Sequence, residues 1–297
     1  MTAPRSFPRA ARWLATGLSF AMSFMATGPV YSADRLPENA DRIVAIGGSL
    51  TEIVYALGEQ DRLVARDSTA SFPAEALSLP DVGYMRALSP EGVLSVKPDG
   101  ILAIEGSGPP EAVSVLASAG VPFVTVPEGY SGEAIQQKIR AVGTALGVDG
   151  KAEALSSQVA ADLADAVSEA HKLNRTTRVL FVLSYTGGRV LASGTGTAAD
   201  AIIQMAGAQN AIDGVPGYKQ LNEEAITAAN PDVILMMERH GDQNAASEIL
   251  ANAAIAQTPA GQNKRLIRMN GLYLLGFGPR TASAVRELSD DLADFGL

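Results

Sequence analysis

The chain contains no cysteine. Disulfides, thiolate metal ligands and the lipidated cysteine of a lipoprotein are all excluded, so packing must hold the fold together. Histidine is nearly as scarce. His171 and His240 are the only two and lie far apart in sequence, so a His-rich zinc site cannot be assembled. No Gly-x-Ser-x-Gly elbow, phosphate loop or His-Glu-x-x-His occurs, and no clustered acid/base or nucleophile set offers a catalytic residue. Positive charge is short as well: 23 Lys and Arg face 32 Asp and Glu, and the net charge of −9 argues against a nucleic-acid partner. After residue 33 no run is long and apolar enough to span a bilayer.

What positive charge there is clusters at the start. Arg5, Arg9 and Arg12 form a basic n-region, Trp13 to Ala26 an apolar core, and Val30-Tyr31-Ser32 a cleavage signal before Ala33. Residues 1–32 therefore read as a secretory signal, with an uncleaved anchor as the alternative. Removing three arginines takes the net charge from −9 to −12. The expected mature product is a soluble protein, free in the periplasm.

From Arg42 onward, short β-branched runs alternate with Ala-rich helical ones. The strand-like runs are Arg42 to Ile46, Arg62 to Arg66, Gly100 to Ile104, Val121 to Val126, Arg178 to Leu183 and Asp232 to Met236. Helices are predicted over 51–57, 131–147 and 281–295. Such alternation predicts α/β architecture with parallel sheets covered by helices on both faces. Asp149 to Leu173 has no Gly or Pro after Gly150 and carries Leu155, Val159, Leu163, Val167 and Ala170 at helical spacing. One helix of about 35 Å is expected there, at 1.5 Å per residue. The predicted organisation is two Rossmann-like lobes, 33–148 and 175–297, joined by a single long helix over 149–174. A rigid connector of this kind limits lobe closure to small angles.

The halves share a repeat. Leu88 to Glu105 aligns without gaps on Leu221 to Glu238 at a constant offset of 133, and Leu, Glu, Pro, Asp, Ile, Leu and Glu coincide. Each copy reads as a short helix, a Pro-Asp turn and a buried strand. Just upstream stand Gly83-Tyr84 and, one residue out of register, Gly217-Tyr218. Two related lobes facing each other across a cleft is the natural geometry.

Few motifs carry chemistry. Gly194-Thr-Gly196-Thr-Ala-Ala199 superficially fits a dinucleotide fingerprint, but the acid expected about 20 residues on would be Asp213, in a loop; a tight strand-to-helix turn is the preferred reading. His171 suits the C-terminal dipole of the long helix. Arg239 and His240 directly follow the second repeat's strand, where open α/β sheets bind ligands, although a plain surface loop is the alternative. Gly83-Tyr84-Met85-Arg86 combines a hard anionic ligand for ferric iron with a permanent cation. A phenol titrates near about 10 in water, and both metal and guanidinium favour its ionised form. A packed loop tyrosine is the competing reading.

Together these residues resemble the haem-binding proteins of bacterial haem ABC importers, within the class III cluster of helix-backboned binding proteins that also carry siderophores and cobalamin. Arg42 to Gly58 and the Glu91…Pro98-Asp99 unit look like the wider cluster. Val82 to Gly92, and Gln257 to Gly261 with Leu274-Leu-Gly-Phe-Gly-Pro-Arg280, look like the haem branch. The resemblance implies a non-enzymatic carrier, monomeric when free, that holds haem in its cleft. It implies Tyr84 as axial ligand, Arg86 beside it and Arg239 reaching across the cleft. Some members add a histidine from the second lobe; His240 does not fall on that position, and Tyr185 stands in the corresponding loop. Tyr218 and Arg66 complete the candidate set. Docking on a permease dimer is implied for Glu91 and Glu224. A ferric siderophore or cobalamin carrier is the alternative within the same fold.

Overall fold

The computed structural model describes residues 35–238 and 244–297. The signal segment, Arg239 and His240 lie outside the described residues. Strands β1 (Ile43–Ile46), β2 (Leu63–Arg66), β3 (Gly100–Ile104) and β4 (Phe123–Val126) form a parallel sheet in the order β2-β1-β3-β4. Every residue of β1 and β3 is buried, which is why both read as continuous apolar runs and not as alternation.

The second sheet departs from the all-parallel expectation. It contains β5 (Arg178–Thr186), β6 (Arg189–Ser193), β7 (Gln209–Asn210), β8 (Tyr218–Leu221), β9 (Val233–Glu238) and β10 (Leu266–Asn270). Its order is β10-β9-β5-β6-β8, with β7 also pairing β5. β10, β9 and β5 are parallel, whereas β5-β6 and β6-β8 are antiparallel. The cause is local: Gly187 (φ 58°) and Gly188 (φ 78°) are both left-handed between the paired Thr186 and Arg189. That is the two-residue turn that matches strand twist and folds β6 back on β5.

The 133-residue repeat is a structural repeat. The helices Pro90–Ser95 and Glu223–Ala229 are capped by Ser89 and Asn222, whose side chains accept from the amides of Gly92 and Ala225. Lys97 (φ 50°) and Asn230 (φ 43°) both turn left-handed before the Pro-Asp step. Asp99 then accepts the amide of Arg42 at 2.9 Å, and Asp232 that of Arg178 at 2.9 Å. The arginine side chains return to the helix ends, Arg42 to the carbonyls of Val96 and Lys97 and Arg178 to that of Ala229, with a second bond from Arg178 to the Ala211 carbonyl after β7. Each arginine thus satisfies at least one carbonyl that the end of a helix leaves without an intrahelical partner.

The connector is one helix, Asp149–Lys172. Its innermost line is Ala152, Ser156, Val159, Leu163, Ala166 and Ala170, while Leu155 and Val167 are only partly buried. The small residues are required by proximity, because a Cβ on Gly143 of the helix Gly132–Leu146 would collide with the Cβ of Ala152. His171 occupies the last turn and bonds the Gln204 carbonyl at 2.9 Å. One apolar core runs through the molecule: Leu102 and Ile139 of the first lobe, Val159 and Leu163 of the connector, and Phe181, Leu235 and Val285 of the second lobe belong to the same cluster. The lobes are therefore packed on one another and not merely tethered.

Candidate ligand cleft

The Tyr84 loop follows β2 and is anchored at its backbone. Asp67 is fully buried and receives the amides of Gly47 (3.0 Å), Thr69 (3.1 Å) and Met85, together with the Thr69 hydroxyl. Burial pushes the Asp67 carboxyl up, and these donors oppose that shift. Asp81 receives the amide of Gly83 at 2.8 Å. The carbonyls of Gly83 and Met85 accept from Ser68 and Gly108, each at 2.9 Å. With its backbone committed, the loop leaves Tyr84 47% exposed and Arg86 exposed beside it.

Arg66 does not share that exposure. Its side chain is directed to the carbonyls of Ala76 (3.1 Å) and Asp67 (3.0 Å) and to the Asp81 carboxylate (3.2 Å). It braces the loop from behind.

Across the cleft stands Tyr218, at the start of β8. Burial raises its phenol, the neighbouring Tyr130 adds to the shift, and a hydrogen bond from the Thr197 side chain and the positive charge of Arg86 oppose it. Tyr130, after β4, is likewise raised by burial and then by Glu128, against Arg86. Arg86 and Tyr130 of one lobe and Tyr218 of the other thus fall within one electrostatic neighbourhood. Both phenols are held neutral at physiological pH and can donate hydrogen bonds. Tyr185, also of the second lobe, is partly buried and packs against that lobe's own apolar cluster. Glu91 and Glu224 are exposed in the first turns of the two equivalent helices.

The Gly194–Gly196 turn has no free amides to offer a phosphate. Gly194 donates to the Gly217 carbonyl (2.7 Å), Thr195 to that of Val215 (2.8 Å) and Gly196 to the Asp200 carboxylate (2.9 Å). The carboxylate would also repel an anion. The turn is a closed strand-to-helix connection, as read from the absent acid.

Sequence reasoning missed several residues through which the two lobes touch. Glu52 pairs with Arg280 at 2.9 Å. The Arg280 guanidinium lies 3.6 Å from the ring centroid of Phe72 and 4.9 Å from that of Tyr273. Lys138 is buried and pairs with Glu128 at 2.7 Å. The motif Leu274 to Arg280 was the available signal, but nothing in it names the partners 138 and 228 residues away.

Two α/β lobes on a helical backbone define the fold of a class III substrate-binding protein. The chain belongs to the periplasmic binding protein family, whose profile matches residues 43–271. Among solved structures it is similar to the periplasmic heme-binding protein BhuT in complex with two hemes, with 40% identity, a TM-score of 0.79, and 85% of this chain and 98% of that one covered. It is also similar to the periplasmic heme-binding protein RhuT from Roseiflexus sp. RS-1 in apo form, with 37% identity, a TM-score of 0.83, and coverage of 87% and 100%. A further relative is an uncharacterized ABC transporter substrate-binding lipoprotein, YvrC, of Bacillus subtilis, 28% identical over 84% of this chain and 79% of that protein.

Proposed function

We propose that this protein captures ferric haem between its lobes in the periplasm and delivers it to the permease dimer of an ATP-driven importer, without a catalytic step of its own. The observation that carries the reading is the Tyr84–Arg86 loop: an exposed phenol and a guanidinium on a backbone tied down by two carboxylates, in a fold shared with haem-binding proteins. Iron displaces the phenol proton, and the adjacent cation favours the resulting phenolate. Arg86 stabilises that phenolate or a haem propionate, and Arg239 does so from the other lobe. Tyr218, with Tyr185 and His240, supplies the second wall. Arg66 acts at one remove, by holding the loop. The lobes correspond to 33–148 and 175–297 about the connector 149–174, with residues 1–32 as the export signal and a monomer as the free form. No helix of the described residues is long and apolar enough to cross a membrane.

Titration of haemin into the mature chain tests this reading. The expected visible spectrum is that of a high-spin tyrosinate complex, lost or strongly shifted in Tyr84→Ala. An identical spectrum in that variant refutes the ligand assignment and favours a siderophore or cobalamin carrier.

A further inference from the structure

The segment Gly276–Arg280 belongs to the second lobe by sequence, yet the carbonyls of Gly276 and Phe277 and both the amide and the guanidinium of Arg280 have partners on the first. Lys138, in the first-lobe helix Gly132–Leu146, sends its ammonium to the carbonyls of Gly276 (3.3 Å) and Phe277 (3.2 Å) and to Glu128 (2.7 Å). Glu52, in the first-lobe helix Gly48–Ala56, does the reverse: one carboxylate oxygen takes the Arg280 amide (3.2 Å) and the other its guanidinium (2.9 Å). A buried cation thus holds the carbonyl end of the segment and a buried anion its amide end.

Three further contacts act at the same place. Phe277 is 1% exposed and keeps a left-handed backbone (φ 47°), a conformation costly for a residue with a Cβ and retained only where the surroundings impose it. Its ring meets Tyr130 edge-on at 5.3 Å. Arg280 lies over the ring of first-lobe Phe72 as well as that of its own lobe's Tyr273. Sliding or opening the lobes at this point would leave the Glu52 carboxylate buried without its cation, and would strip two carbonyls from the Lys138 ammonium, which would keep only Glu128.

We propose that Glu52 and Lys138 are positioning residues of the cleft: by clamping Gly276–Arg280 from opposite charges they set the spacing between the Arg86–Tyr130 wall and the Tyr218 wall before any ligand arrives. The connector helix alone fixes the distance between lobe bases, whereas the clamp fixes their angle. The functional meaning rests on the reading of this cleft as the ligand site; the clamp itself is a property of the empty protein.

The absence of cysteine makes the test direct. Cysteines placed at Ser95 and Ala228, exposed and equivalent under the 133-residue offset, accept spin labels on the two lobes without background. Pulsed electron resonance on the ligand-free protein should give one narrow distance distribution. In the Glu52→Gln, Lys138→Met double variant it should broaden, and added haemin should narrow it again while leaving the wild type unmoved. If the binding-competent spacing falls to about a tenth of the population, haemin affinity falls about tenfold. Arg280→Lys keeps the cation but loses part of the paired contact, should broaden the distribution to a lesser degree, and decides the matter if the double variant does not fold. An unaltered ligand-free distribution in the folded variants overturns the proposal. Failure of haemin to bind the wild type would instead remove the haem reading and leave the distance result standing.

Discussion

Arg66 and Asp81 are paired at 3.2 Å, and the other oxygen of Asp81 receives the amide of Gly83, the residue before Tyr84. An arginine that the sequence offers as a ligand contact thereby becomes a brace for the ligand loop. Its side chain is largely buried while that of Asp81 is 43% exposed, so the pair is screened from one side. Arg66→Met should loosen haemin by about fivefold, on the order of 1 kcal/mol for one part-exposed charged contact. The tyrosinate character of the spectrum should persist, since the axial ligand is unchanged. Disappearance of that character in a folded Arg66→Met protein would mean that Arg66 touches the ligand itself.

Arg86 and Arg239 are expected to act on the ligand side. A hydrogen bond to a charged group is worth about 1.5–3 kcal/mol, so each alanine variant should lose at least about tenfold in haemin affinity. The midpoint of urea unfolding should not move for Arg86→Ala, whose side chain is exposed. Parallel haemin titrations and urea curves check both halves of the statement; wild-type affinity in both variants would exclude the role.

Tyr273 predicts a feature of the alkaline limb. Burial, and then Glu287, push its phenol up to about 12, against an ordinary value of 10.0. The folded protein thus retains a proton that the unfolded chain releases. The stability this contributes is fully present below pH 10 and is lost as pH rises toward 12. Denaturant unfolding across that window should show a shallower decline for Tyr273→Phe than for the wild type. Equal slopes would show that the phenol titrates alike in both states.

Delivery should depend on the two equivalent helix starts. Reversing both charges, Glu91→Lys with Glu224→Lys, should abolish haem uptake by the reconstituted importer while haemin affinity stays intact, because rim charges register a docking partner and do not touch the ligand. Uptake at the wild-type rate would remove these residues from the interface.

The legible part of this protein was its local and repeated order. Strand runs, the Asp149–Lys172 connector and the repeated helix-turn-strand unit follow from periodicity, Pro-Asp turns and side chains a few residues apart, all of which are short-range. Tyr84 and Arg86 were visible for the same reason: the chemistry lies within three consecutive residues. Other features depend on distant groups meeting. The antiparallel β5–β6 pair could have been suspected from Gly187-Gly188, but the small-residue line of the connector depends on Gly143 of another helix. The helix Gly48–Ala56 starts three residues before the sequence suggests because Asp67 and Thr69 receive the amides of Gly47 and Gly48. Arg66 and Arg280 are equally charged in sequence, yet one braces a loop and the other spans two lobes. Only the tertiary structure decides that, because a charge acquires its role from the group that compensates it once water is gone, and that group can stand 228 residues away.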